Sequence, residues 1–222
     1  MPPTLTVDSI IFQLQNDEQI ELTVLLIQRA KEPFAGNWAL PGGYVAAGET
    51  TTDGLNRVLL AKGGVSTDDL GIIEQLYTFD TVARDPRGHA VSVTYMGLGR
   101  GIKPRADGGT QNPQFFPVTN LPGLAYDHRD IINYALERLQ SKLTYTNAIH
   151  ALLPSKFTLT QLQAAYEAVL GRPLDKRNFR KKFLSLELIM ETSEMYTEGA
   201  HRPARLYKFR STQLQYLERS FD

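Results

Sequence analysis

The stretch that most constrains the fold is LPGGYVAAGETTTDGLNRVLLAKGGV, residues 40–65. Gly42 and Gly43 open it as a loop. Thr50, Thr51 and Thr52 offer side-chain oxygens to cap a helix. Leu55, Val58 and Leu59 then fall on one helical face, and Gly63–Gly64 stops the run. The spacing predicts a loop, a helix over residues 50–62 and a sharp stop. Backbone N–H groups of a glycine-rich loop at a helix start suit phosphate oxygens. A divalent cation would need carboxylates gathered on that helix. The residues there are Val58, Ala61 and Lys62.

The flanking segments predict strands. LTVDSIIFQL (5–14) and LTVLLIQR (22–29) are rich in β-branched and apolar residues. IIEQLYTF (72–79), AVSVTYMGL (90–98) and a short PQFFPV extend the pattern, with RDPRGH as a turn. KEPFAGNWALPGG is punctuated by Pro and Gly and reads as a loop. DHRDIINYALERLQSKL reads as a helix. Beyond it come three helical segments (in NAIHALLP, TLTQLQAAYEAVLG and DKRNFRKKFLSLELI) and two short strands. Two domains are expected, 1–143 and 144–222. The first is α/β or α+β, with strands alternating with helices.

Composition removes several classes. The chain of 222 residues is 42% hydrophobic, normal for a folded protein. It has no cysteine, so a disulfide framework and a thiolate zinc site are excluded. No apolar run approaches the ~20 residues that span a bilayer, and the N-terminus lacks a signal-peptide pattern. A cytoplasmic location with no membrane partner is the expectation. Lys+Arg and Asp+Glu are both 24, so a strong local patch stands out against zero net charge.

Gly43, Glu49, Arg57, Leu59, Gly64 and Val65 fall on the pattern G-x5-E-x7-R-E-U-x-E-E-x-G-U, where U is aliphatic, so residues 1–143 resemble the Nudix family. The resemblance implies an α/β/α sandwich with a mixed sheet. In active members, acids after the arginine share one helix face and hold Mg²⁺, which supplies charge stabilisation and hydroxide. Their replacement by Val58, Ala61 and Lys62 implies no catalytic residue, no metal and no cofactor. Glu49 and Arg57 form the pair that shapes the loop. Either the domain is a scaffold, or it keeps a binding site in which Lys62 is a permanent counter-charge to pyrophosphate. The intact EPFAGNWALPGGYV favours binding.

Other pocket candidates carry two readings each. Trp38 and Phe34 either pack in the core or stack on a base or ribose. Arg29 is a phosphate ligand or a solvated arginine. Arg84, with Asp85 and Arg87, belongs to a polar turn or touches ligand. His128 is a helix N-terminal feature. Arg29, Phe34, Trp38 and Arg84, with Gly42, Gly43, Glu49, Arg57 and Lys62, make up the expected effector site. Glu74 is the one acid a residual pyrophosphatase could recruit.

LTQLQAAYEAVLGRPLDKRNFRKKFLSL is the informative segment of the second domain. Leu159, Leu162, Tyr166 and Val169 share a face, GRP makes a tight turn, and Asp175 can cap the next helix. Lys176, Arg177, Arg180, Lys181 and Lys182 follow. Phe179 and Phe183, at i and i+4, bury together, with Leu184 and Leu186 as further anchors. That leaves Arg177, Asn178 and Lys181 facing away. Two helices with a basic second helix match a helix-turn-helix. Arg suits guanine, Asn adenine, and Lys phosphates. Thr160, and Arg202 and Arg205 in the hairpin that would form a wing, complete the expected DNA contacts. A solvated basic face is the plain alternative, and a membrane-surface or RNA role is less favoured.

The whole chain, through DKRNFRKKFL and RPARLYKF, resembles the Nudix-related transcriptional regulators. This resemblance implies a homodimeric repressor reading a palindromic operator on double-stranded DNA. One branch controls NAD biosynthesis genes and responds to ADP-ribose; another responds to arabinose. The loop PFAGNWALPGG favours the nucleotide, since a sugar has no pyrophosphate for it to hold.

Overall fold

A computed structural model describes residues 2–16, 19–105, 112–197 and 203–217. Contacts divide the chain into two units, residues 1–13 with 23–137, and 14–22 with 138–222.

In the first unit the apolar runs become β1 (Thr4–Asn16) and β2 (Ile20–Gln28). The segment expected as plain loop contains two short strands, β3 (Trp38–Ala39) and β4 (Gly42–Tyr44). Helix α1 (Thr51–Val58) is capped by Thr50, whose side chain accepts from the Asp53 N–H while Asp53 accepts from the Thr50 N–H. The remaining elements are β5 (Leu70–Phe79), β6 (Ala90–Gly99), β7 (Gln114–Pro117) and helix α2 (His128–Tyr145).

One sheet joins the strands in the order β3-β2-β1-β6-β5, with β4 on β1 and β7 on β2. β1 and β6 run parallel over Thr4–Phe12. β4, β3, β7 and β5 pair antiparallel with their neighbours, so the sheet is mixed. Strand alternation sends Val7 to one face, against Leu55 and Val58 of α1. It sends Asp8 to the other face, towards His128 at the start of α2. Helices therefore cover both faces, as an α/β/α sandwich requires.

The expected helix over 50–62 is not uniform. After Val58 the chain widens into a π turn, Leu59–Gly63, and Gly64 at φ +62° ends it. A Cβ on Gly64 would stand 2.2 Å from the Arg105 carbonyl oxygen, so both backbone angle and space demand glycine. Across a π turn the i, i+3, i+4 geometry that converges three side chains no longer holds. Val58 is buried, Ala61 exposed and Lys62 half-buried.

The two units part at 13/14, 22/23 and 137/138, inside β1, β2 and α2 rather than in a linker. The 143/144 limit expected from sequence lies nearer the same helix's end. An uninterrupted helix offers no Pro, Gly or composition shift to mark such a division.

In the second unit NAIHALLP makes a 3₁₀ turn, Ala148–Leu152, rather than an α-helix. α3 (Leu159–Leu170) starts at Thr158, capped with Gln161, and ends at Gly171 at φ +65°. α4 (Lys176–Ser185) is capped by Asp175, whose carboxylate accepts from the Asn178 N–H at 2.8 Å. A hairpin, β8 (Ile189–Tyr196) and β9 (Ala204–Phe209), follows. Phe157, Leu162, Tyr166, Val169, Phe179 and Phe183 form the core. Tyr166 meets Phe179 and Phe183 edge-on at 5.4 and 5.6 Å between centroids. This is a helix-turn-helix with a β-hairpin wing.

Candidate effector site and nucleic-acid interface

The glycine loop is held from below. Gly42 pairs with Asp8, and Gly43 with Val7. A Cβ at residue 42 would lie 1.8 Å from Asp8 Oδ1, and one at residue 43 would lie 3.1 Å from Val58. Only glycine lets the loop sit this close to both β1 and α1. Asp8 is buried and takes the Ser92 hydroxyl at 2.5 Å. Arg84 stands 3.6 Å from it and His128 3.7 Å. The Leu40 N–H donates to His128 Nδ1 at 2.9 Å, so the ring proton sits on Nε2, towards Asp8. Burial lowers the His128 pKa and keeps the ring neutral.

Two expectations change here. Arg84 sits in the turn, half-buried, with its guanidinium directed inwards at Asp127 and Asp8. Its guanidinium is 5% exposed and forks onto Asp127, Nε and Nη2 each donating at 2.8 Å. Lys62 is tethered rather than loose, because its Nζ donates to the Gly42 carbonyl at 2.5 Å. Burial lowers the Lys62 pKa, Asp8 opposes that, and the nearby Arg29, Arg57 and Arg87 reinforce it. Lys62 thus closes the helix onto the loop at a position a box acid would hold.

Glu49 and Arg57 meet as expected. Arg57 Nε and Nη2 donate to the two Glu49 oxygens at 2.6 and 2.7 Å, and Nη2 also reaches the Tyr44 carbonyl. Glu49 accepts from the Ala46 N–H as well. The Arg57 hydrogen bond, then the Ala46 N–H, brings the Glu49 pKa from 4.5 to about 2. A folded pKa below the unfolded one means that the tether is fully present above pH 4.5 and is lost as pH falls through about 2. Carboxyl NMR should therefore find a Glu49 midpoint near 2, moving up into the ordinary range in Arg57→Ala. A midpoint near 4.5 in the unmodified chain would mean that the fork does not persist in solution.

The donor set does not fit a divalent cation. Val58 and Ala61 offer no oxygen, Lys62 offers a cation, and Glu49 is engaged by Arg57. Among the described residues no group of three His, Asp or Glu side chains could hold a metal ion.

The mouth of the site is aromatic and cationic. Phe34 and Tyr126 both adopt left-handed backbone angles, φ +67° and +55°. Bulky residues rarely do so, and such strain clusters at functional sites. Their rings meet edge-on at 4.9 Å. The Arg29 guanidinium lies 4.8 Å from the Tyr126 centroid, and Arg87 5.8 Å from it and 5.7 Å from Tyr44. Arg29 also donates to the Pro33 and Lys31 carbonyls, which fixes the loop. The Tyr126 hydroxyl is buried without a hydrogen bond among the described residues. Trp38 is half-buried and meets Phe116 edge-on at 4.5 Å.

Sequence reasoning missed Asp8, Tyr44, Arg87 as a ring partner, and Tyr126. The available signal was an aspartate inside the apolar run LTVDSIIF.

In the second unit Phe179 and Phe183 are buried, while Lys176, Arg177, Asn178 and Lys181 are exposed along α4 and Lys182 is half-buried. Leu184, expected as an anchor, is 44% exposed, because it lies one residue around the helix from Phe183. Arg180 Nη2 donates to the Thr160 hydroxyl at 3.2 Å, so these two expected DNA contacts brace α4 on α3. Arg205 pairs with Glu191 across the hairpin. Arg202 lies outside the described residues.

The NUDIX domain family model matches residues 4–136, and the NrtR DNA-binding winged helix domain model matches residues 149–209. The chain is 36% identical over 215 residues to the ADPR responsive transcriptional repressor NtrR of Acinetobacter baylyi, covering 93% of this chain and 82% of that protein. NrtR of Shewanella oneidensis, solved in complex with a 27mer DNA, aligns with TM-score 0.78 at 31% identity, over 98% and 99% of the two chains. Its Nudix domain, solved with ADP ribose, aligns with TM-score 0.56 at 33% identity, over 63% of this chain and 90% of that one. An ADP-ribose pyrophosphatase of Methanocaldococcus jannaschii is 35% identical over 130 residues, 59% of this chain and 71% of that protein.

Proposed function

Because the chain belongs to the NrtR family, with a Nudix domain joined to a winged helix, we propose that it is a transcriptional repressor that binds ADP-ribose and does not hydrolyse it. The observation that carries this reading is Lys62 closed on the Gly42 carbonyl where a metal acid is needed. A loop kept intact above a disabled cation site suits binding without turnover. Arg29 and Lys62 add positive charge there beyond the Arg57–Glu49 and Arg87–Asp85 pairs, which suits a diphosphate. Phe34, Tyr44 and Tyr126 offer ring faces to a base or ribose. Arabinose lacks the phosphates for which that charge is useful.

The repressor acts in the cytoplasm as a homodimer on a palindromic operator, with one α4 in each half-site. ADP-ribose is what remains of NAD once nicotinamide leaves, so the controlled genes are those of NAD biosynthesis. The relative that is an ADP-ribose pyrophosphatase favours a second reading, residual hydrolysis at the same site.

Two measurements separate the readings. Excess protein incubated with ADP-ribose and Mg²⁺ should release no AMP; metal-dependent AMP release lost in Glu49→Gln would establish the enzyme instead. ADP-ribose at about 100 times its Kd should stabilise the full chain by about 2.7 kcal/mol, while arabinose does not. A thermal shift with arabinose alone would place the protein in the sugar-responsive branch.

A further inference from the structure

The second unit holds a cavity of about 210 Å³ beside the first turns of α4. Its floor is Leu143 of α2, Tyr166 and Leu170 of α3, Leu174 of the turn and Phe179 of α4. Its rim includes Arg172, Asp175, Asn178 and Lys182, of which Arg172, Asp175 and Asn178 are exposed, so the cavity opens to the surface.

The walls are braced. Glu167 Oε1 accepts the Leu174 N–H at 2.8 Å and the Gln163 amide at 3.0 Å, and Gln163 also donates to the Leu174 carbonyl. Gln140 of α2 donates to the Val169 carbonyl at 3.0 Å. The cavity is therefore preformed, which lowers the ordering cost of filling it.

Size and charge select the occupant. An apolar cavity of about 150 Å³ takes up benzene, whereas drug-sized ligands need roughly 300–1,000 Å³. One substituted ring fits here, and a dinucleotide-sized effector does not. Asp175 keeps its charge on the rim while its carboxylate caps α4 through the Asn178 N–H, so the lining carries two cations, Arg172 and Lys182, against one anion. Arg172, exposed at the rim, is the cation nearest to solvent over an apolar floor.

We propose that this cavity is a second small-molecule site, specific for a small monocarboxylate with a single-ring or similarly sized apolar body. The ring sits on Leu170, Tyr166 and Phe179, and the carboxylate meets Arg172 and Lys182 in charge-assisted hydrogen bonds. Asn178 and Lys182 belong to the helix proposed to read DNA. If that reading holds, the occupant also weakens operator binding, independently of ADP-ribose.

Benzoate is the probe, with benzamide as its neutral isostere and benzylammonium as its cationic one. Isothermal titration and saturation-transfer NMR on the full chain should find saturable, single-site binding of benzoate. Binding at least tenfold weaker is expected for benzamide, for benzylammonium, and for benzoate with Arg172→Gln. Leu170→Trp fills the space and should eliminate binding while leaving the circular dichroism spectrum native. Absence of saturable benzoate binding overturns the proposal, as does wild-type affinity in Arg172→Gln. That variant alters a surface side chain, so it decides the matter even if Leu170→Trp fails to fold. These outcomes are read without DNA and stand apart from the repressor assignment.

Discussion

Arg177→Ala is expected to abolish operator binding at physiological salt. Phe179 and Phe183 are buried against Tyr166, which fixes the rotation of α4 and leaves Arg177 exposed. An arginine there can pair bidentately with a guanine edge, a contact worth roughly 1–3 kcal/mol. In the proposed symmetric dimer each substitution acts twice, so the expected loss is roughly 2–6 kcal/mol, or about 30-fold to more than 10,000-fold in affinity. Asn178→Ala should relax specificity at an adjacent base pair. Lys181→Ala should weaken all sequences alike and lower the salt slope by about one per site. Thr160→Ala should act differently, because Thr160 receives Arg180 inside the motif, and its effect should pass through the orientation of α4. Gel shifts on operator and scrambled duplexes across several salt concentrations measure all four. Operator binding unchanged in both Arg177→Ala and Lys181→Ala, with native circular dichroism, would remove α4 from the role of reading element.

Gly42→Ala is expected to cost the first unit stability and to eliminate its response to ADP-ribose. The new methyl would lie 1.8 Å from Asp8 Oδ1. Asp8 has little room to yield. Ser92 holds one oxygen, and Arg84 and His128 pack around the group. Forcing an extra carbon into such a packed site costs roughly 1–3 kcal/mol. Relief requires lifting the loop off β1, which carries away the Gly42 carbonyl that Lys62 grips. Thermal unfolding with and without ADP-ribose reads both effects. A Gly42→Ala chain with native melting temperature and undiminished ligand shift would mean that the loop does not rest on Asp8.

Much of the fold was legible because its signals are local. Thr50, Thr158 and Asp175 cap helices that begin where the sequence places them, since each cap reaches an N–H only a few residues on. Gly64 and Gly171 end helical segments through their own backbone angles. Phe179 and Phe183 at i, i+4 decide which side of α4 is buried. The Glu49–Arg57 fork spans a single loop, and its residue types and spacing foretell it.

Partners chosen over long distances were not legible. The parallel register of β1 on β6 brings Asp8 beside Ser92, and the start of α2 adds His128 and Asp127. Arg84 looks like a turn residue until Asp127 buries it, and Lys62 looks like a free cation until the Gly42 carbonyl takes it. Arg180 and Arg205 read as DNA contacts because basic residues cluster there, yet Thr160 and Glu191 engage them in the fold. Residue type and spacing therefore determined the family and where the capped helices begin. How these cations are held was decided only by tertiary packing, because their partners lie on elements distant in sequence and not among their neighbours along the chain.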